Sequence, residues 1–524
     1  MKKIATLTMF ALSIPAISGA VEFRTPGVSL GIGGAGVARD NGALSSYWNP
    51  AGGAFNKSSF DLNVGVGAGA RGSDGLAENV DRFSNISLTN LTQFNTATAT
   101  TTEVGDFVKT VSIFGDIDAR KGNMAIAAEA PIGFTMKNFS FGLFFNLTGD
   151  IQPKADIVNI LPNTSAVTGG RTLSTNDLYT AAVTNSSATS YSSPSGYFSA
   201  TQLTQLQTEL NKSLNNVAKS TQLANAIDNQ LQNSGITPDQ AISSLVGTTT
   251  SPSSGALATL NSGGTTTFNK NTTSVLTRAI QYIEIPVSYG RPFDFGTSGQ
   301  LGIGATAKLI SGTVYQNQVL LANRPSNQNL KASDLINEIT KNNKSSANIG
   351  IDLGALYKYD KWLNVGLVAK NINSPTFSAP QYFQPVYNPV TGKVESTSAV
   401  AGDDIQLKTQ VRSGIAVEPY GWLTIAADLD LTENDTLAPG TVVGSSAKSR
   451  NFGGGVELRP MSWLKVRGGT YKNLALTNAG SVLTAGFTLF LLEVDGAFAT
   501  NSFKIGNTTL PQEVEVHASI NLAF

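Results

Sequence analysis

Short stretches of alternating apolar and polar side chains recur along most of this chain, and they restrict its fold more than any other feature. The C-terminal stretch is the cleanest: Val514, Val516, Ala518, Ile520, Leu522 and Phe524 share one parity, and Glu513, Glu515, His517, Ser519 and Asn521 hold the other. Strict alternation marks a strand with two unlike faces. Phe60, Leu62, Val64 and Val66 stand in the same way against Asp61, Asn63 and glycines, as do Phe139, Phe141, Leu143, Phe145 and Leu147 against Ser140, Asn146 and Thr148. Past the first residues, no segment offers the ~18 uninterrupted apolar residues of a spanning helix. Such a chain crosses a bilayer only as a closed barrel, because lipid satisfies no open sheet edge. The expected class is all-β, a transmembrane antiparallel β-barrel of about 14 strands.

The candidate strands are 59–70, 122–131, 138–150, 280–291, 299–313, 347–359, 362–373, 405–418, 422–432, 450–459, 463–472, 481–490, 492–500 and 512–524. Their number is even, as single-chain bacterial barrels require. On that ground Val108 to Ile117, a fifteenth candidate, is read as part of a loop. Connections 132–137, 292–298, 360–361, 419–421 and 460–462 are short, whereas 71–121, 151–279, 314–346, 374–404 and 433–449 are long. Outer-membrane barrels have this rhythm of short periplasmic turns and long outer loops. A soluble sandwich has no reason to keep it. Trp362, Trp422 and Trp463 each follow a short turn, at the rim where aromatic girdles sit, and strand parity points their indoles into the lumen.

Residues 1–20 have the layout of a secretory signal peptide: Lys2 and Lys3, an apolar run, then Ser18-Gly19-Ala20. Lysine plus arginine equals aspartate plus glutamate, 36 each, so no net charge points to nucleic acid. The chain has no cysteine and one histidine, which excludes disulfides, thiol nucleophiles and histidine-rich metal sites. No cofactor or metal is expected. His517 is the sole candidate general base, no serine stands in a nucleophile motif, and a lumen-facing structural histidine is the simpler reading.

Residues 21–58 precede the first strand and include Gly31-Ile32-Gly33-Gly34-Ala35-Gly36. The spacing mimics a dinucleotide fingerprint, but no strand precedes it and no βαβ unit follows. The run GIGGAGVARDNGALSSYWNPAG, Gly31 to Gly52, resembles the start of the FadL-type outer-membrane channels, whose N-terminal segment folds into the barrel as a hatch with an Asn-Pro-Ala motif. Here Asn49-Pro50-Ala51 matches it, preceded by Trp48. Gly366 to Phe377, GLVAKNINSPTF, resembles a second region of more distant barrels in that superfamily, and the layout looks closest to the TraF-like branch, named after conjugal transfer. The resemblance implies a fourteen-stranded barrel over 59–524, a hatch over 21–58, and a ligand path past Trp48, Asn49, Pro50 and Ala51.

Strand parity turns many charges inward. Lys408 and Arg412 lie beside Asp428 and Asp430, Glu457 and Arg459 beside Lys465 and Arg467, and Glu493, Asp495, Glu513 and Glu515 cluster on the last two strands, which close against Asp61. A cross-strand ion-pair network is the expected role, with Arg24 or Arg39 of the hatch paired to the acidic cluster. In the insert 151–279, Leu203, Leu206, Leu210, Leu214 and Val217 mark one helical stripe and Leu223, Ile227 and Leu231 another. Ser199 is placed to cap the first helix, Gly235 to end the second, and Thr237-Pro238-Asp239-Gln240 to open a third as a capping box. In loop 71–121, Val80, Phe83, Ile86 and Phe94 are weaker helical material. The helices either pack on one another or cover a ligand or partner.

The resemblance therefore implies no enzyme, but a bacterial outer-membrane channel for hydrophobic or amphipathic, fatty-acid-like molecules. The alternative is a TraF-like scaffold of a conjugation or secretion envelope system. The expected partners are outer-membrane lipid, an amphipathic ligand, the barrel-insertion machinery acting on the strand that ends in Phe524, and an envelope protein.

Overall fold

Fourteen antiparallel strands close into one barrel in chain order, the number and order that the alternation predicts. The computed structural model describes residues 27–523 except 40–41, 57, 73–77, 80–81, 83–94, 96–97, 121, 162–172, 187–190, 192, 248–254, 262–267, 323–336, 339, 439–447, 477–479 and 506–507. The signal-peptide segment 1–20, Arg24, the Val80–Phe94 material and Phe524 lie outside the described residues.

The strands are β1 Asp61–Gly72, β2 Met124–Met136, β3 Phe139–Lys154, β4 Ser274–Asp294, β5 Gln300–Leu320, β6 Asn343–Tyr359 and β7 Leu363–Lys370. They continue as β8 Gln410–Tyr420, β9 Leu423–Asp430, β10 Asn451–Met461, β11 Leu464–Asn473, β12 Val482–Leu489, β13 Leu492–Ala499 and β14 Glu513–Ala523. The barrel closes between β1 and β14, with Asp61 opposite Ala523 and Arg71 opposite Glu513. Tight turns join one end, and three of them place a non-glycine residue at positive φ, Lys137 at 51°, Asp360 at 51° and Phe490 at 56°, as the twist of a tight hairpin demands. All long connections leave the other end.

Val66, Ile132, Leu143, Ile285, Leu309, Ile351, Ile425 and Val516 stand exposed on the outer face, while Asn63, Glu129, Glu284, Asp352, Asp428 and His517 of the opposite parity are buried inside. A continuous apolar belt on an exposed face is stable only in hydrocarbon. The three turn tryptophans stand partly exposed at the short-turn rim and pack on rim aromatics instead of following strand parity into the lumen. Each stands in the turn before its strand starts, so strand alternation does not reach it. Trp422 stacks on Tyr420 with centroids 5.5 Å apart, Trp463 on Phe490 at 5.5 Å, and Trp362 meets Tyr359 edge-on at 6.1 Å.

β4 and β5 pair over 21 residues each, about twice what a membrane crossing takes. Their surplus projects beyond the belt on the long-loop side, where a helical cap sits. The hatch contributes α1, Ser45–Trp48. The cap contains α2 Thr101–Arg120, α3 Thr175–Tyr179, α4 Ala200–Leu214, α5 Val217–Leu231, α6 Pro238–Val246 and α7 Ala256–Asn261. Ser199 and Thr237 close reciprocal capping boxes with Gln202 and Gln240, and Gly235, past the end of α5, has φ +72°.

Two expectations change here. Val108–Ile117 belongs to α2: Val104, Phe107, Val108, Val111 and Phe114 are buried at helical spacing, and its β-branched residues only imitate a strand. The stripe drawn to Val217 breaks at Asn215, left-handed at φ 46°, so Val217 opens the next helix and is 72 % exposed. Leu206, Leu210, Leu223, Ile227, Leu231 and Leu245 instead bury against one another and α2 in a core of the cap's own. Leu210→Ala should cost about 2–5 kcal/mol there. Amide exchange is expected to rise across α4 and α5 and stay unchanged in β4 and β5.

Asp156 ties the two chain crossings between barrel and cap. It accepts the N–H groups of Val158 at 3.1 Å, Asn159 at 3.0 Å and Thr272 at 2.9 Å, with Asn159 Nδ2 at 2.9 Å. Burial opposes its ionisation, but these donors outweigh burial and hold the carboxyl below the usual range. A depressed pKa stabilises the fold fully above the unfolded value and loses that contribution as pH falls through the folded one. Thermal stability of the cap should therefore fall on acidification below the ordinary carboxylate range. Asp156→Asn should remove this pH step and expose Lys154 and Lys270 to trypsin at neutral pH.

Candidate functional site

The N-terminal segment 27–56 fills the lumen, with 40–41 outside the described residues. Asn49 organises it. Its Oδ1 accepts the Ala51 N–H at 3.1 Å and so caps the 3₁₀ turn Pro50–Phe55, while its Nδ2 donates to Val37 O at 3.0 Å and to Ala355 O of β6 at 3.1 Å. One side chain thus closes a turn, joins two hatch segments and fastens both to the wall. Trp48 is buried against Gly36. Tyr47 meets Trp48 and Phe144 edge-on at 5.9 and 5.3 Å, with Lys370 Nζ 3.5 Å above its ring.

The wall accepts a backbone this close because its inward positions there are glycine. A Cβ on Gly354 would collide with Asn49 Oδ1 and stand 2.8 Å from Pro50 Cδ; one on Gly366 would stand 2.8 Å from Val37 C, and one on Gly469 2.6 Å from Gly33 N. Pro50 and Ala51 lie in the same way against Gly304. These glycines are the imprint of the hatch in the barrel sequence.

Charged side chains fasten the rest. Asp428 Oδ2 accepts the N–H groups of Gly36 at 2.8 Å and Val37 at 2.9 Å. Glu457 is bound by Arg39 of the hatch at 2.8 Å, Arg459 at 2.7 Å and Arg467 at 2.9 Å. Arg467 also reaches Asp495 at 3.3 Å, and Glu493 accepts from Ser519 Oγ at 2.9 Å. Arg412 pairs with Asp430 at 2.5 Å.

One expected pairing is refined and two are corrected. Arg39 makes its 2.8 Å ion pair with Glu457 of β10, because the chain at Gly33–Val37 crosses β9–β11, and its charge also acts on Glu493 and Asp495 of the expected cluster. Lys408 precedes β8 and joins Asp435 of an outer loop at 3.1 Å; burial opposes that carboxyl's ionisation, but Lys448 and Lys408 hold it below the usual range. Asp61 does not close on Glu513 and Glu515. Antiparallel β1–β14 pairing sets Asp61 by the short-turn end and Glu513 by the long-loop end, ten residues or about 33 Å apart. Asp61 lies instead beside hatch Gly42, whose Cβ would be 3.0 Å from its Oδ2. The acidic cluster thus splits, with Glu493 and Asp495 in the short-turn half and Glu513 and Glu515 in the outer half. His517 packs by Gly65 and Gly67, 3.9 Å from Glu129.

A second cluster was missed in the sequence. Lys308, 2 % exposed, sits between Glu284 at 3.1 Å and Asp352 at 3.0 Å, and Asp352 accepts the Asn371 N–H at 2.7 Å. Glu284 shares parity with Tyr282 and Ser288, so the alternation rule finds it once applied to β4. On the long-loop side of this cluster the lumen turns apolar. Ile280, Tyr282, Ile310 and Val314 of β4 and β5 bury against Phe377, Ile405 and Leu407, which the small pairing of Thr376–Phe377 with Ile405–Gln406 folds into the mouth. From mouth to hatch, this side of the lumen runs from apolar side chains to buried charge to the aromatic packing of Tyr47 and Trp48.

A family model described as the F plasmid transfer operon TraF protein matches residues 46–430, more than half of the chain. No curated protein matches by sequence. The chain is similar to the Ralstonia pickettii toluene transporter TbuX, 11 % identical over 96 % of this chain and 99 % of that one, with a TM-score of 0.42. It is also similar to the Pseudomonas putida toluene transporter TodX, 10 % identical over 96 % and 99 %, TM-score 0.42, and to a Pseudomonas aeruginosa FadL homologue, 10 % identical over 97 % and 100 %, TM-score 0.40.

Proposed function

This chain belongs to the family of the F plasmid transfer operon TraF protein, and from that premise we propose that it is a bacterial outer-membrane channel for hydrophobic or amphipathic small molecules. The observation that carries the reading is the lumen: an apolar mouth at Phe377, Ile405 and Leu407 leads to a hatch joined to the wall by hydrogen bonds and an ion pair. A molecule with an apolar body enters the mouth, and the hatch moves when its polar bonds to Asp428 and Glu457 are exchanged. Trp48, Asn49, Pro50 and Ala51 line the step that must shift. Outer-membrane lipid surrounds the belt, and the insertion machinery acts on the last strand.

A second reading, an envelope scaffold, is favoured by one observation: the cap's apolar stripes are consumed in its own core. The test is uptake of isotope-labelled dodecanoate by lipid vesicles carrying the full barrel. Uptake several-fold above protein-free vesicles supports the channel. A rate equal to protein-free vesicles for dodecanoate and for dodecylammonium alike overturns it, and recovery of one stoichiometric envelope protein by cross-linking in cells would then support the scaffold.

A further inference from the structure

Above the hatch, in the outer half of the lumen, lies a cavity of about 50 Å³ floored by Gly33 and Gly34, room for a few water-sized groups. Asp428, Glu513, Glu515, Arg71 and Arg412 line it. The charges do not balance locally: three carboxylates and two guanidinium groups line the cavity, and one of the two, Arg412, also pairs at 2.5 Å with Asp430, a carboxylate outside the lining. Tyr471 OH donates to Glu513 at 2.6 Å.

Independently of that imbalance, Asp428 is 4 % exposed, and its Oδ1 accepts no hydrogen bond from the described residues. A buried carboxylate oxygen calls for a donor. Among the described residues no three acidic or histidine side chains converge to hold a metal ion. A group that spreads several N–H donors from one positive centre fits better, and a primary ammonium carries three. Ala125 and Ala127 supply a small apolar wall beside the charges.

We infer that this cavity binds the ammonium end of an amphipathic amine, with Asp428 and Glu515 as its counter-charges and the first carbons of its chain along β2. The inference rests on the channel reading for its biological meaning, since it names the class of molecule carried, while binding itself requires no transport. The test is calorimetric titration of the full barrel in non-ionic detergent with butylammonium and, separately, butyrate. Butylammonium should bind and butyrate should not. Glu515→Gln should weaken butylammonium at least tenfold. Asp428→Asn, which keeps an acceptor for the Gly36 and Val37 amides, should do the same. Equal binding of the two probes, or wild-type affinity in both variants, overturns the inference. If butylammonium binds as expected and vesicles take up neither dodecanoate nor dodecylammonium, the site stands and the channel reading fails. Uptake of dodecanoate without butylammonium binding has the opposite meaning.

Discussion

Glu457→Gln is expected to give a barrel that conducts in planar bilayers where the parent stays closed. Glu457 is the shared acceptor of Arg39, Arg459 and Arg467, at 2.7 to 2.9 Å. Its removal leaves three guanidinium groups converging on a neutral amide. Breaking a buried pair from one side costs about 3–5 kcal/mol, because the partner stays buried and uncompensated. Two of the three cations are fixed in strands β10 and β11; Arg39 alone is on the hatch, so the strain is relieved by moving the hatch. At 1.4 kcal/mol per factor of ten, the hatch equilibrium shifts by about two to three and a half orders of magnitude. The double variant Arg39→Met with Glu457→Met separates charge from packing: it removes the latch pair, leaves Arg467 with Asp495, and should conduct less than Glu457→Gln. Unchanged conductance in Glu457→Gln would mean that Asp428 and Asn49 hold the hatch without the latch.

The parts of this molecule that the sequence reveals are those governed by local periodicity. Fourteen strands with alternate loop lengths follow from a membrane belt outside and a polar lumen inside, and residues such as Val516 and His517 carry that division one position apart. The caps at Ser199 and Thr237 are legible because a capping box is complete within four residues. The lost information is relational. Lys408 has the parity of a lumen residue but lies before the strand begins, where its neighbour is Asp435. Asp61 and Glu513 are on paired strands, yet register separates them by the length of the barrel. Periodicity assigns each side chain a face and leaves its height and partner open, and the hatch latch depends on both. The wall glycines were a readable signal of a different kind. Gly304, Gly354, Gly366 and Gly469 sit at inward positions of strands that otherwise favour larger residues, and only a backbone lying against them accounts for all four.

Gly354→Val tests that account, and here the barrel and its hatch should part company. Valine suits a strand position, and β6 is paired on both sides across this region, so the barrel should still fold, as read by the same gel mobility as the parent before and after heating. The hatch should not seat. The new Cβ occupies the place of Asn49 Oδ1 and stands 2.8 and 3.0 Å from Pro50 Cδ and Cγ. Overpacking of this kind costs about 1–3 kcal/mol, and displacement of Asn49 forfeits the cap on the Pro50–Phe55 turn, worth about 1 kcal/mol, together with its bonds to Val37 and Ala355. Arg39, buried in the parent, then becomes accessible to trypsin, and cleavage after it in a folded Gly354→Val barrel is the expected result. Gly354→Ala introduces the same first atom without the branches and should be cut more slowly. A folded valine variant in which Arg39 stays protected would show that the hatch is held elsewhere, by Asp428 and Glu457 across the lumen, and that the Asn49 turn follows the hatch into place instead of seating it.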